Sequence, residues 1–404
     1  MKLAAKILLL SCLYVFPIGD AVEAADSVRA RGLGIPFEGQ PGPLNAITDV
    51  AGVEVGHVTL IEGDGALNVG TGPVRTGVTA IHPRGKDSTD PVFAGWFTLN
   101  ASGEMTGTTW LEERGIVDGP IAITNTHSVG VVRDAAVAWI VDHGWPAEWH
   151  APVVAETYDG ALNDINGFHV TKEHALEAMR KASGGQVEEG AVGGGTGMVC
   201  NGFKGGIGTS SRTFAALGNQ YTVGVLVQCN YNWGGVGLRL GGKLVSDLLP
   251  VGKHCFTNRS IERHTRSYPY CDDTGDEQLV PVTRDGSIII VVATDAPLLP
   301  HQLRRVAKRP SLGLGRLGSI SSGGSGDIFI AFSTATPGVI SENEPSEITM
   351  YPNNGLSQVF EATVQATEEA IVNAMVGAET VVGVSGLRVK AISKDQLRDM
   401  FLRD

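Results

Sequence analysis

The run Ser287-Ile288-Ile289-Ile290-Val291-Val292-Ala293-Thr294 constrains this chain more than any other segment. It is apolar, rich in β-branched residues and free of polar alternation, so it reads as a strand buried on both faces. Gly286 stands directly before it. Glycine reaches backbone conformations closed to other residues, which suits a strained turn at the head of such a strand. The next residue is a serine, and that has a chemical consequence. If the 286–287 bond is cut, Ser287 carries a hydroxyl nucleophile and a free α-amine on one residue. An α-amine titrates near about 7.7–8.0, which makes it a usable general base around neutral pH. This is the N-terminal-nucleophile arrangement. Taken alone, the pair is also an ordinary turn ahead of a strand.

The start of the chain reads as a secretory signal, 1–24. Lys2 and Lys6 form a basic head, an apolar stretch follows over 7–18, and Val22-Glu23-Ala24 offers small residues for cleavage after Ala24. The apolar stretch is too short to span a bilayer, and no later segment approaches about twenty uninterrupted apolar residues. The expectation is an exported protein, periplasmic or secreted, with no membrane span. Removing the signal takes away two lysines and two acids (Asp20 and Glu23), so the net charge of −12 is unchanged. A mildly acidic chain without a basic patch is a poor partner for nucleic acid. No linker or repeat divides the chain, which favours one large α/β domain. The 54 glycines have no collagen period and point to tight turns and close backbone approach.

Four cysteines remain after the signal. None has CxxC spacing, and no His/Cys cluster has zinc-ligand spacing, so no metal is expected. Cys255 and Cys271 flank a polar stretch, 254–277, that looks like an inserted surface loop. In an exported protein they either form a disulfide closing that loop or remain free thiols. Cys200 and Cys229 sit in apolar or glycine-rich surroundings and read as buried core thiols.

Strands are expected at 77–81, 120–124, 153–156, 222–228, 287–294 and 328–333. Helices are expected at 128–142, 171–181, 300–308, 356–376 and 393–402. The 356–376 pattern has helical spacing with an unusually small-residue face, so it should pack closely on a sheet. Strands mixed with helices imply a layered α/β fold. Gly237 to Lys243 approaches a phosphate loop, but Leu244 stands where a magnesium-binding Ser or Thr is required. Ser325 in Gly324-Ser325-Gly326-Asp327 fails the GxSxG pattern at its last position. Ser325 and Asp327 fall on one side of an extended segment, or form a simple turn. Asn230 follows an apolar strand, where a side-chain amide suits an oxyanion donor. Asn232 competes for that assignment, and an Asn-Tyr-Asn turn is the plain alternative. Glu156 ends a strand and reads as either an exposed glutamate or a pocket carboxylate.

Several motifs in one order resemble the L-aminopeptidase D-esterase/amidase and β-peptidyl aminopeptidase family. They are Asn45-Ala46-Ile47-Thr48-Asp49 continuing to Gly56-His57, Arg75-Thr76-Gly77-Val78-Thr79, Gly103-Glu104-Met105-Thr106-Gly107 and Glu156-Thr157-Tyr158-Asp159-Gly160 continuing to Asn166. Gly206-Ile207-Gly208-Thr209-Ser210-Ser211-Arg212, Val227-Gln228-Cys229-Asn230-Tyr231, Gly286-Ser287 and Gly324-Ser325-Gly326-Asp327 complete the series. The resemblance implies an αββα sandwich of the N-terminal-nucleophile-hydrolase kind. It implies self-cleavage between Gly286 and Ser287, giving an α chain of 25–286 and a β chain of 287–404. By resemblance Ser287 is the nucleophile and Asn230 the oxyanion donor. Ser325 and Asp327 assist the Ser287 amine and hydroxyl, although Glu is common in the family where Asp327 stands. Glu156 reads the substrate's free amine, and Tyr158 lines the nucleophile pocket. The implied activity is a serine aminopeptidase acting on small peptides, amides or esters with a free N-terminal amine, without cofactor. A homo-oligomer of processed α/β protomers is expected. Two other readings remain. One is an acyltransferase like ornithine acetyltransferase, which uses threonine where this chain has Ser287. The other is a non-enzymatic periplasmic binding protein, against which the complete set Ser287, Asn230, Ser325 and Asp327 argues.

Overall fold

A computed structural model describes residues 29–145, 148–246, 248–249, 254–264, 268–273, 286–340 and 343–402. The signal and its cleavage point lie outside the described residues. In chain order the larger strands are β1 (Glu54–Glu62), β2 (Val74–His82), β3 (Val92–Ala101), β4 (Ile116–Val117), β5 (Ile121–Asn125) and β6 (Val153–Thr157). After the short pair β7 (Val199–Cys200) and β8 (Phe203–Lys204) come β9 (Gly206–Ala216) and β10 (Asn219–Asn230). A second short pair, β11 (Arg239–Leu240) and β12 (Lys243–Leu244), and β13 (Cys255–Phe256) precede β14 (Ser287–Thr294) and β15 (Gly326–Ser333). β16 (Val381–Val382) and β17 (Leu387–Val389) close the series. The helices are α1 (Thr108–Arg114), α2 (Val129–Asp142), α3 (Lys172–Lys181), α4 (Pro300–Ala307), α5 (Pro310–Arg316), α6 (Leu356–Val376) and α7 (Lys394–Phe401). Among the described residues, no helix is long and apolar enough to cross a membrane.

Two sheets form the centre, one in the order β1-β2-β5-β6 and one in the order β4-β3-β15-β14-β10-β9. The β14 strand shows why its sequence lacks alternation. Ile289, Val291 and Ala293 join the core between the sheets, with Ile81, Ile121 and Ile123 from the opposite sheet. Ile288, Ile290 and Val292 point the other way, toward Leu303, Val359 and Ala370 of the helices. Both faces are covered, and each fully buried Ile or Val contributes roughly 1.5–3 kcal/mol. The outer face of the first sheet carries α2 and α3, with Trp139 and Met179 packed on Val78, Ala80 and Ala122. Helix, sheet, sheet and helix make the αββα sandwich.

The expected helix 356–376 is α6, and its small face has a physical reason. A Cβ on Gly208 would lie 2.0 Å from the Ala370 carbonyl, so α6 rests directly on the β9 backbone. Arg212 on β9 and Arg31 both bind Glu369 of α6, at 2.7 and 2.8 Å, and Glu369 is fully buried. Burial pushes the Glu369 carboxyl up, but the two guanidiniums outweigh it and leave its pKa lowered. Breaking such a buried pair strands a charge, so Arg212 serves the scaffold.

Two expectations need correction. Cys200 and Cys229 are not free core thiols. Both are fully buried, their Cα atoms are 5.5 Å apart, and they are joined in a disulfide. Hydrophobic surroundings alone do not separate a buried thiol from a buried half-cystine. Cys255 and Cys271 form a second disulfide, but the stretch they flank is not simply a surface loop. Its head, β13, pairs with β17. Phe256 and Tyr268 pack with Leu162, Val199 and Leu387, so apolar residues scattered among charges still reach a core.

Candidate active site

Ser287 opens β14 and continues the Ile289, Val291, Ala293 side of the strand, so by alternation it faces the space between the sheets. Gly286 has φ +148°, and a Cβ there would lie 2.1 Å from the Asn230 carbonyl. No other residue fits without displacing β10. The Ser287 hydroxyl donates to the Gly286 carbonyl at 2.7 Å. The same carbonyl accepts the Gly326 N–H at 3.0 Å. The carbonyl that self-cleavage would attack is therefore held by two donors, one of them on a neighbouring strand.

The strand register gathers the other candidates. Asn230, the last residue of β10, is directly opposite Ser287, and Gly326, the first of β15, pairs with Ser287 from the other side. Asn230 is fully buried. Its Oδ1 accepts the Val199 N–H at 2.9 Å, and its Nδ2 donates to the Tyr158 carbonyl at 2.8 Å. An amide nitrogen carries two hydrogens, so one remains for a ligand. Asn232 differs. Its Nδ2 donates to Asn201 Oδ1 at 2.9 Å and to the Val236 carbonyl at 3.2 Å, which uses both. The geometry favours Asn230.

Ser325 and Asp327 flank Gly326. The Ser325 hydroxyl donates to Asp327 Oδ1 at 2.6 Å, and both residues are buried. Burial raises the Asp327 carboxyl, with hydrogen bonds from Ser325 and Ser321 offsetting part of that. Neither side chain bonds to Ser287 in the uncut chain. By alternation they share the helix-facing side with Phe329 and Ala331, while the Ser287 hydroxyl faces between the sheets. Gly326, between them, is the residue paired with Ser287.

Glu156 lies on β6 of the opposite sheet and is buried, not an exposed strand end. Its Oε1 accepts the Glu104 N–H at 2.9 Å and its Oε2 accepts the Thr126 hydroxyl at 2.5 Å. Burial raises its pKa, partly offset by those two bonds. A Cβ on Gly103 would lie 3.0 Å from Glu156 Oε1 and 3.3 Å from the Gly326 Cα, so Glu156 meets the head of β15 across a glycine. Tyr158 is about half exposed, at 47 %. A Cβ on Gly160 would lie 2.3 Å from the Tyr158 hydroxyl, so the ring folds back over that glycine. Asp159, next to it, is fully buried, and burial pushes its carboxyl up to about 6. Asn125 and Asn163 both donate to its Oδ2, at 3.0 and 3.1 Å, tying the Tyr158 turn to the end of β5.

Sequence reading missed Thr126, Val199 and the Gly326 N–H. Backbone donors leave no residue signature, and Thr126 sits in no motif. The Val199 hairpin had a signal, Asn201-Gly202 between Val199-Cys200 and Phe203-Lys204. Among the described residues no group of His, Cys, Asp or Glu has a metal-binding arrangement.

Comparison with known proteins shows the family. The model of peptidase family S58 matches residues 45–389. The chain is 56 % identical over 380 residues to β-peptidyl aminopeptidase BapA of Sphingosinicella microcystinivorans, covering 93 % of this chain and 92 % of that protein. A Burkholderia sp. β-aminopeptidase superposes with TM-score 0.78 at 44 % identity, over 93 % of this chain and 98 % of its own. The L-aminopeptidase D-Ala-esterase/amidase of Ochrobactrum anthropi gives the same TM-score, identity and coverage. That structure is described as a prototype for the serine aminopeptidases and a new variant among the Ntn hydrolase fold. With a matching family model over most of its length, the chain belongs to peptidase family S58 and is a hydrolase of the serine aminopeptidase kind.

Proposed function

We propose that this aminopeptidase cuts its own 286–287 bond and then uses Ser287 as an N-terminal nucleophile. One observation carries the reading: the Ser287 hydroxyl lies on the Gly286 carbonyl at 2.7 Å, and the Gly326 N–H holds the same oxygen. Rotation of the side chain brings Oγ toward the carbonyl carbon. Attack shifts the acyl group from N to O, which breaks the Gly286 C–N bond and frees the Ser287 amine. Water then hydrolyses the ester, returning the Ser287 hydroxyl and leaving Gly286 as a carboxylate. In the mature enzyme that amine takes the Oγ proton as Oγ attacks the substrate carbonyl. The spare Asn230 N–H meets the oxyanion, the leaving amine takes the proton, and water releases the acyl group. Ser325 and Asp327 flank Gly326, the strand partner of Ser287. In this proposal the Ser325 hydroxyl orients the freed amine and the Asp327 carboxylate balances its protonated form. Tyr158 borders the acyl side.

Glu156 is proposed to hold the substrate's cationic amine. Each of its oxygens has one bonded donor and a further lone pair. The substrates are small peptides, amides or esters with a free amine, and the relatives' names add β-amino acyl groups to that set. Glu156→Gln keeps the shape and removes the charge. Its kcat/KM on free-amine p-nitroanilides is expected to fall at least about tenfold, roughly 1.4 kcal/mol. Self-cleavage should survive, because it needs no incoming amine. N-acetylated substrates should be poor for the wild type. Equal hydrolysis of acetylated and free-amine substrates would remove the role from Glu156.

We also propose export, on the basic, apolar and small-residue order of 1–24, and assembly of the processed protomers into a homo-oligomer. The mature α chain should begin at or near Ala25 and appear in a periplasmic or extracellular fraction. An α chain that keeps Met1 in the cytoplasm contradicts export.

A further inference from the structure

The β7–β8 hairpin lies against the end of β10 where Asn230 sits. Its turn residues Asn201 and Gly202 have φ of +50° and +77°, the left-handed pair that a two-residue type I′ loop requires. Val199 gives its N–H to Asn230 Oδ1 at 2.9 Å. The next residue, Cys200, is bonded to Cys229, the chain neighbour of Asn230. The Asn201 N–H then donates to the Tyr231 carbonyl at 2.8 Å. The other strand is held by Lys204, whose buried ammonium donates to the carbonyls of Met198 and Gly205 at 2.7 Å each and of Gly195 at 3.3 Å. A Cβ on Gly205 would lie 2.3 Å from the Cys200 Cβ and 2.9 Å from the Cys229 carbonyl, so a glycine makes room for the disulfide.

We propose that the Cys200–Cys229 disulfide is a positioning element for the oxyanion amide of Asn230. This rests on the oxyanion role given to Asn230 above. The amide plane is set by a donor on the hairpin and an acceptor at Tyr158. The disulfide fixes the distance between the hairpin and β10, one residue from each end of the Val199–Asn230 bond. An oxyanion donor acts by being preorganised, and a displacement of about 1 Å can cost on the order of a hundredfold in rate. The bond is buried, so it works as a permanent clamp.

The test compares wild type with Cys200→Ala/Cys229→Ala on a free-amine p-nitroanilide, with rates counted per processed chain. The expected result is a kcat about ten- to a hundredfold lower with KM within about twofold. In an Asn230→Ala background the same two changes should cost no further kcat, because the amide they position is gone. A variant with a lower Tm but wild-type kcat per processed chain, or a full additional loss in the Asn230→Ala background, overturns the proposal. Cys200→Ser/Cys229→Ser is the second variant should the alanine pair not fold. Thiol titration of fully active, unreduced wild type after unfolding decides independently of either variant. No free thiol is expected, and free Cys200 and Cys229 in active enzyme overturn the proposal. If wild type does not hydrolyse the substrate, or Asn230→Ala keeps its kcat, the underlying reading fails instead.

Discussion

Ser287→Ala is expected to remain a single uncut chain and to lose essentially all hydrolysis. The substitution removes the hydroxyl that donates to the Gly286 carbonyl, so neither the acyl shift nor the acyl-enzyme can form. Two losses coincide, because the same oxygen serves both reactions. Loss of a nucleophile removes several powers of ten from kcat, leaving what binding and oxyanion stabilisation supply, about 10³–10⁴ over water in the serine protease case. The fold should persist. Ser287 is small, its strand neighbours Ile288 to Ala293 remain buried, and alanine leaves the β14 ladder intact. Gel electrophoresis, activity and thermal melting together check the three parts. Normal cutting of the variant would remove Ser287 from the account.

Asn230→Ala should keep the enzyme processable but slow turnover by about 10²–10³, or 2.7–4 kcal/mol, the usual cost of one oxyanion donor. KM should change little, because the lost hydrogen bond forms in the transition state. Some loss of thermal stability should accompany it, since Val199 N–H and the Tyr158 carbonyl each lose a buried partner. Asn232→Ala provides the contrast. Both hydrogens of its amide are committed to Asn201 and Val236, so it should lower stability without a selective fall in kcat. The reverse pattern would transfer the oxyanion role to Asn232.

The strands legible in the sequence are those whose side chains are apolar on both faces. β14 was found to the residue, and β10 and β2 were found in part, because buried parallel or central strands leave continuous apolar runs. β9 was not expected as a strand. Thr209, Ser210, Ser211 and Arg212 are buried in it, yet each side chain is hydrogen-bonded to backbone or to a carboxylate. Buried polar residues that are satisfied look like a loop from sequence. β1 and β3 carry half-exposed positions, which blurred their periodicity. The site divides in the same way. Gly286 and Ser287 could be singled out from the residues, as a glycine and a hydroxyl at the head of a buried strand, but only the family's motif order set them apart from an ordinary turn. Asn230, Glu156, Ser325 and Asp327 each had a local reading with a plainer alternative beside it, and only the family's motif order chose between them. The tertiary facts that make them a set, β10 opposite β14 and β15 beside it, have no local sequence signal. The hairpin that supports Asn230 was not expected from the sequence, although Asn201-Gly202 carries a turn signal.

The most direct measurement is the N-terminal sequence and intact mass of the chains in purified, active enzyme. The account predicts two chains, the second beginning Ser287-Ile288-Ile289 and the first ending at Gly286. A fully active enzyme that remains one uncut chain, or one cut at another bond, would contradict it.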